Sequence, residues 1–167
     1  MLRRVTIDTN CINVKGQHPL VNALESLAER GMIKITSTFA LAEDLRFDHT
    51  KLGEARRLKA SRLPQARSGF MVGHSKVGGP DVVGGPNVYA HVDAIANVIA
   101  PMKAWQDIES NTQRDILHLA AHRTYDWDIF ITEDKGILRR SPELALLGIR
   151  VMSPQSALDH LVQVGIT

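Results

Sequence analysis

The stretch Ile129-Phe130-Ile131-Thr132-Glu133-Asp134-Lys135-Gly136-Ile137-Leu138 carries the pattern that decides the fold. Apolar residues run from Ile129 to Thr132 without alternation, as a strand buried on both faces reads. Two acids mark its end, and helical turns follow from Lys135 to Arg140 and from Pro142 to Leu147. Downstream, Ile149 to Met152 repeats the strand, Ser153 offers a cap, and Pro154 opens a helix reaching Val164. Upstream, helices are expected from Thr112 to Thr124 and from Val92 to Ala100, the latter ended by Pro101.

The amino-terminal half has the same grammar. Val5 to Ile7 is a short strand, and Asp8-Thr9-Asn10 is its turn. Leu20, Leu24, Leu27 and Ala28 follow at helical spacing until Gly31 stops them. Met32 to Thr36 is a second strand, and Ser37 or Thr38 caps a helix carrying Ala40, Leu41, Leu45 and Phe47. Residues 51–62 form a short basic helix. Apolar strands alternating with amphipathic helices specify the α/β class, with a central parallel sheet of four to five short strands and helices on both faces. With 167 residues and 44% hydrophobic content, a single domain over 1–167 is expected.

Between 63 and 105 the pattern is interrupted. Val77-Gly78-Gly79-Pro80-Asp81 recurs as Val83-Gly84-Gly85-Pro86-Asn87, which neither a helix nor a central strand tolerates. Two tandem turns in a mobile loop that gates substrate or contacts a partner are expected. The Gly-Lys-Ser/Thr ending of a phosphate-binding loop is missing, which argues against a nucleotide cradle or a receiver-type module.

Net charge is only +2, but its distribution is uneven. From Arg46 to Arg67 there are seven Lys/Arg against Asp48 and Glu54, a local +5 that leaves −3 elsewhere. A solvated helix face and a phosphate-attracting surface both fit such a run. The lone Cys11 excludes an intrachain disulfide and fits a reducing cytosol, where a buried, inert thiol is expected. MLRRVTID lacks a signal peptide's apolar core, and no apolar run approaches the roughly 20 residues that span a bilayer, so a soluble cytoplasmic protein with no membrane contact is expected.

Asp8, Glu43, Asp115 and Asp134 each stand where a strand hands over to a helix or in a helix's first turns. Each has a structural alternative except Glu43, which is too deep in its helix to cap it. Asp8 can close a turn on Asn10, Asp115 can pair with Thr112 in a capping box, and Asp134 can cap the helix after it. In a parallel sheet the four converge on the carboxyl edge, where ligands bind. Gathered carboxylates repel one another unless a cation sits among them, so a divalent metal and a metal-dependent hydrolase follow. Thr9, Asn10 and Thr132 either hold these carboxylates or make ordinary turn bonds. His118 and His122 stand at i, i+4, but His-Leu-Ala-Ala-His lacks the glutamate of a zinc protease, and a packed or exposed pair is the expectation.

Val5-Thr6-Ile7-Asp8-Thr9-Asn10, Ala42-Glu43 after a Ser37-bearing strand end, Arg114-Asp115 through Ala121, and Ile129 through Leu138 together resemble the four motifs of PIN-domain ribonucleases. The segment Gly148 to Pro154 resembles the family's last strand and helix, and the resemblance covers nearly the whole chain except 63–105. It implies a PIN-like fold in which Asp8, Glu43, Asp115 and Asp134 hold Mg²⁺ or Mn²⁺. The implied reaction is RNA hydrolysis to 5′-phosphate and 3′-hydroxyl ends, with Glu43 a ligand or an orienter of water. It also implies a homodimer, and for VapC-type toxins of the family an antitoxin partner. Glu133 departs from the small polar residue common before the fourth acid, adding negative charge or an alternative ligand. RNA contacts are expected at Lys51, Arg56, Arg57, Lys59 and Arg62, and at Lys135, Arg139 and Arg140 near the fourth acid. With 5% aromatics, base stacking is limited. The competing class is a non-catalytic PIN-like RNA-binding or assembly module.

Overall fold

Residues 2–12, 16, 18–46, 48–65 and 87–166 are described by the computed structural model. Their strands β1 (Arg3–Ile7), β2 (Ile33–Thr36), β3 (Ile129–Ile131) and β4 (Val151–Met152) form one parallel sheet in the order β2-β1-β3-β4. The helices are α1 (Pro19–Glu29), α2 (Phe39–Arg46), α3 (Gly53–Ser61), α4 (Val92–Ile99), α5 (Ser110–Thr124), α6 (Lys135–Arg139), α7 (Ser141–Leu146) and α8 (Pro154–Gln163).

The pleat of the strands divides the core. Val5, Ile7, Ile33, Ile35, Ile129 and Ile131 face one side, against Val21 and Leu24 of α1 and Ala157 and Leu161 of α8. Phe130 and Val151 face the other, against Ile95 of α4, Ile116 and Leu119 of α5 and Leu144 of α7. Helices therefore cover both faces, which is why β3 is buried along its full length. Val5 and Ile7 pair with Ile129 and Ile131, so the carboxyl ends of β1 and β3 are level. Because β2 and β4 lie on opposite sides of this pair, the chain order switches between β1 and β3.

Local signals mostly act as the residues dictate. Gly31, at φ +72°, ends α1: its N–H donates to the Ala28 carbonyl at 2.9 Å and that of Met32 to Leu27 at 2.9 Å. Ser153 caps α8, with Pro154 at its first position. Several boundaries differ from expectation. Helix α5 begins at Ser110, two residues before Thr112, because extended Glu109 already presents its carbonyl to the Gln113 N–H at 2.9 Å. Strand β4 keeps only two residues, since the left-handed Gly148 precedes it and only Val151 and Met152 pair with β3. On α1, Val21 is buried while Leu20 is half-buried.

Part of the 63–105 segment belongs to the core. Val88 and Ile95 are buried, and α4 packs on α5. The Gly-Gly-Pro repeats, up to Pro86, and Phe47 lie outside the described residues. Among the described residues, no helix is long and apolar enough to cross a membrane.

Candidate functional site

Asp8 follows β1 and sits beside the end of β3, where its N–H donates to the Ile131 carbonyl at 2.9 Å. Its side chain caps the 3-10 turn Thr9–Cys11, with Oδ1 accepting the Thr9 N–H at 2.7 Å. Oδ2 accepts from the Thr132 hydroxyl at 2.6 Å and from Asn10 Nδ2 at 2.9 Å. Asp8 is only 4% exposed, so these three donors fix a carboxylate at the switch point of the sheet.

Thr132 and Asn10 tie the β3 end to this turn. The Thr132 hydroxyl, itself buried, accepts the Asp134 N–H at 2.9 Å, and Asn10 Oδ1 accepts the Glu133 N–H at 3.1 Å. Asp134 Oδ1 in turn accepts the Ile137 N–H at 2.9 Å, so the capping role is real, yet the second carboxylate oxygen accepts nothing from a described residue. Gly136 makes room for this cap, because a Cβ there would stand 2.9 Å from Asp134 Oδ1.

Asp115 lies in the second turn of α5, and the start of that helix at Ser110 removes its capping-box alternative. No described residue gives it a hydrogen bond or an ion pair. Burial, together with the negative charges of Asp8, Asp134 and Asp44, pushes its carboxyl up to about 7 against the opposing effect of His118. Helix α5 therefore carries a half-buried carboxylate close to other carboxylates.

Asp44, on α2, was not expected at the site. Its Oδ2 accepts the Thr9 hydroxyl at 2.8 Å and lies 3.3 Å from His118 Nε2, while Oδ1 forms an ion pair with Arg114. Burial opposes its ionisation, but His118, Thr9 and Arg114 outweigh that and hold its carboxyl below the usual range. The signal was present: Asp44 stands three residues after Leu41 and one before Leu45, both buried, at the margin of the buried stripe. Glu43 occupies the preceding position on α2, and its side chain lies outside the described residues.

The histidines are packed. His118 Nδ1 pairs with the Thr38 hydroxyl at 2.6 Å, so Thr38 bonds across to α5. His122 Nδ1 pairs with the Thr6 hydroxyl at 2.7 Å, its ring lies edge-on to Phe130 and Trp127, and burial lowers it to about 3. His118 is held by Thr38 before α2 and by Asp44, and His122 by Thr6 of β1, so the two rings serve separate hydrogen bonds. Cys11 is buried, and burial first, then Asp8 and Glu133, push its thiol up to about 12. It is inert, as its position suggested. Glu133 turns to His18, with Oε1 2.7 Å from Nε2.

A cleft of about 510 Å³ opens beside Asp115 and Asp134, walled by Ile99, Ile137, Arg139 and Arg140. A groove of about 600 Å³ between α1, β2 and α3 contains none of these acids. The basic residues of α3 are largely held by their own chain. Arg56 donates to Asp48 at 2.9 Å, Arg57 to the Leu45 and Asp48 carbonyls at 2.9 and 3.0 Å, and Lys59 pairs with Glu25. Arg139 has no acidic partner among the described residues, and Lys135 is exposed.

Among the described residues, no three His, Cys, Asp or Glu side chains form a group that could hold a metal ion directly. The donors nevertheless suit a hydrated hard cation. Mg²⁺ commonly keeps several waters and uses only one or two carboxylates, and Asp115 and Asp134 both retain oxygens without donors. Compared with family models, curated proteins and solved structures, the chain matches none.

Proposed function

We propose that the protein is a divalent-metal-dependent ribonuclease of the PIN type, hydrolysing phosphodiester bonds at the carboxyl edge of its sheet. One observation carries this reading. Asp115 is buried near Asp8, Asp134 and Asp44, and burial with their charges pushes its carboxyl up to about 7. The order of motifs along the chain adds to that support.

Each residue has a task that follows from its surroundings. Asp8, held by three donors, offers a fixed negative charge, and Thr132 and Asn10 keep it aimed. Asp134 keeps one oxygen on α6 and leaves the other for the cleft. Asp115 is tuned to gain or lose a proton near neutral pH, as a general base or acid requires. Asp8, Asp115 and Asp134 would hold a Mg²⁺ or Mn²⁺ ion, which when bound would neutralise charge on the phosphate oxygens and make a bound water more acidic. Asp44 pairs with Arg114 and accepts from the Thr9 hydroxyl, which ties α2 to the turn that carries Asp8.

The non-catalytic reading draws on the lack, among the described residues, of a three-ligand group. Incubating a labelled single-stranded oligoribonucleotide with Mn²⁺ separates the two. The ribonuclease reading expects cleavage that stops with EDTA and falls at least about a hundredfold in Asp8→Asn. Cleavage that survives EDTA, or an Asp8→Asn variant with full activity, removes the proposal.

A further inference from the structure

Resting on the ribonuclease reading, we propose that Arg139 and Arg140 form a phosphate subsite that seats the phosphate next to the scissile one on a single RNA strand. They lie at the end of α6, exposed, on the wall of the 510 Å³ cleft that also contains Asp115 and Asp134. The cleft thus has two electrostatic halves. Its acidic half repels a phosphodiester until a cation neutralises it. Its basic half attracts one directly, through planar guanidinium forks that match phosphate oxygens.

The charge pattern of the rest of the molecule points the same way. Arg56, Arg57 and Lys59, the densest basic run in the sequence, already bond to Asp48, to backbone carbonyls and to Glu25. Arg114, one residue from Asp115, is paired with Asp44. Arg139 has no such partner among the described residues, and Arg140 only reaches Glu143 at 3.6 Å across the exposed surface. An exposed pair of this kind is weak and yields to a phosphate. Half-buried Ile99 also lines the cleft and gives it an apolar surface for a sugar or base face. A cleft of this size holds one or two nucleotides of a flexible strand; a duplex does not enter it.

Binding of a fluorescein-labelled oligouridylate, measured by anisotropy in EDTA at several salt concentrations, tests the subsite without any cleavage. For Arg139→Ala/Arg140→Ala the expected result is affinity weaker by about tenfold at low salt, with the log–log salt slope shallower by roughly 1.4 for two lost phosphate contacts. Lys34→Ala/Arg150→Ala makes the same change in net charge at exposed residues that do not line the cleft and should leave the slope unchanged. An unaltered slope in the first variant overturns the proposal, as does equal flattening in the second or a wild type that does not bind. If wild type binds with an Arg139/Arg140-dependent slope yet never cleaves with Mn²⁺, the ribonuclease reading fails and the subsite stands.

Discussion

The two ends of the sheet treat their carboxylates in opposite ways. At the amino end, Asp128 accepts from Arg3 Nη1 at 2.8 Å and from the Arg4 N–H at 2.8 Å. Burial there is outweighed by these donors, and its carboxyl is held below the usual range. At the carboxyl end, Asp8 is satisfied by neutral donors only, and Asp115 by none from a described residue. One end binds its charge internally and stabilises the fold. The other leaves charge unmatched by described donors, which costs stability and is where the proposed cation would act.

The largest expected effect breaks the comparison outright. Asp115→Asn should reduce Mn²⁺-dependent RNA cleavage by two or more orders of magnitude while raising thermal stability, because it deletes an unrelieved charge. Asp128→Asn should do the reverse, leaving turnover within about twofold and costing about 1 kcal/mol of stability. Steady-state kinetics and thermal melts on the two variants measure both arms. An activity loss in Asp128→Asn matching that in Asp115→Asn would mean that the two ends do not differ in role.

A second contrast lies in pH. The folded pKa of Asp115 is raised to about 7, against about 3.9 unfolded, so the folded state binds the extra proton between those values. Its favourable contribution is complete below the unfolded value and is lost as pH rises through about 7. Asp128 has the opposite sign: its folded pKa is lowered, so its contribution is present above about 3.9 and lost as pH falls through the folded value. Melting temperatures measured without divalent ions should therefore decline from pH 5 to pH 8, with the decline absent in Asp115→Asn. Added Mn²⁺ should restore the lost stability at pH 8 and do little at pH 5, where the proton already occupies the carboxyl.

The smallest effect concerns the residue between the acids. Thr132→Val keeps the shape of a fully buried side chain but removes the donor to Asp8 and the acceptor for the Asp134 N–H. A loss of about 1–3 kcal/mol and about tenfold weaker Mn²⁺ binding are expected, read by denaturant melts and calorimetry. Wild-type Mn²⁺ affinity in this variant would assign Thr132 to folding alone.

Much of this arrangement was legible from local rules. Strand positions follow from short apolar runs, and the Asp134 and Ser153 caps follow from residue type at a strand-to-helix handover. Convergence of Asp8, Asp115 and Asp134 follows from parallel topology. What escaped is what depends on distant partners. Asp44 gains its role only because α2 and α5 meet, which brings Arg114 and His118 to it from 70 and 74 residues away. For the basic run of α3, which fitted both a solvated helix face and a phosphate-attracting surface, a sequence does not reveal that Glu25 and the Asp48 backbone face it. The start of α5 was misplaced by Thr112, a good cap whose position was overridden by the Glu109 carbonyl.

Calorimetric titration of Mn²⁺ into wild type and Asp115→Asn at pH 8 tests the unmatched charge at the carboxyl edge most directly. Saturable binding in the wild type, abolished or weakened at least about tenfold in the variant, is the predicted result. Identical isotherms for the two proteins, or no binding by either, would contradict it.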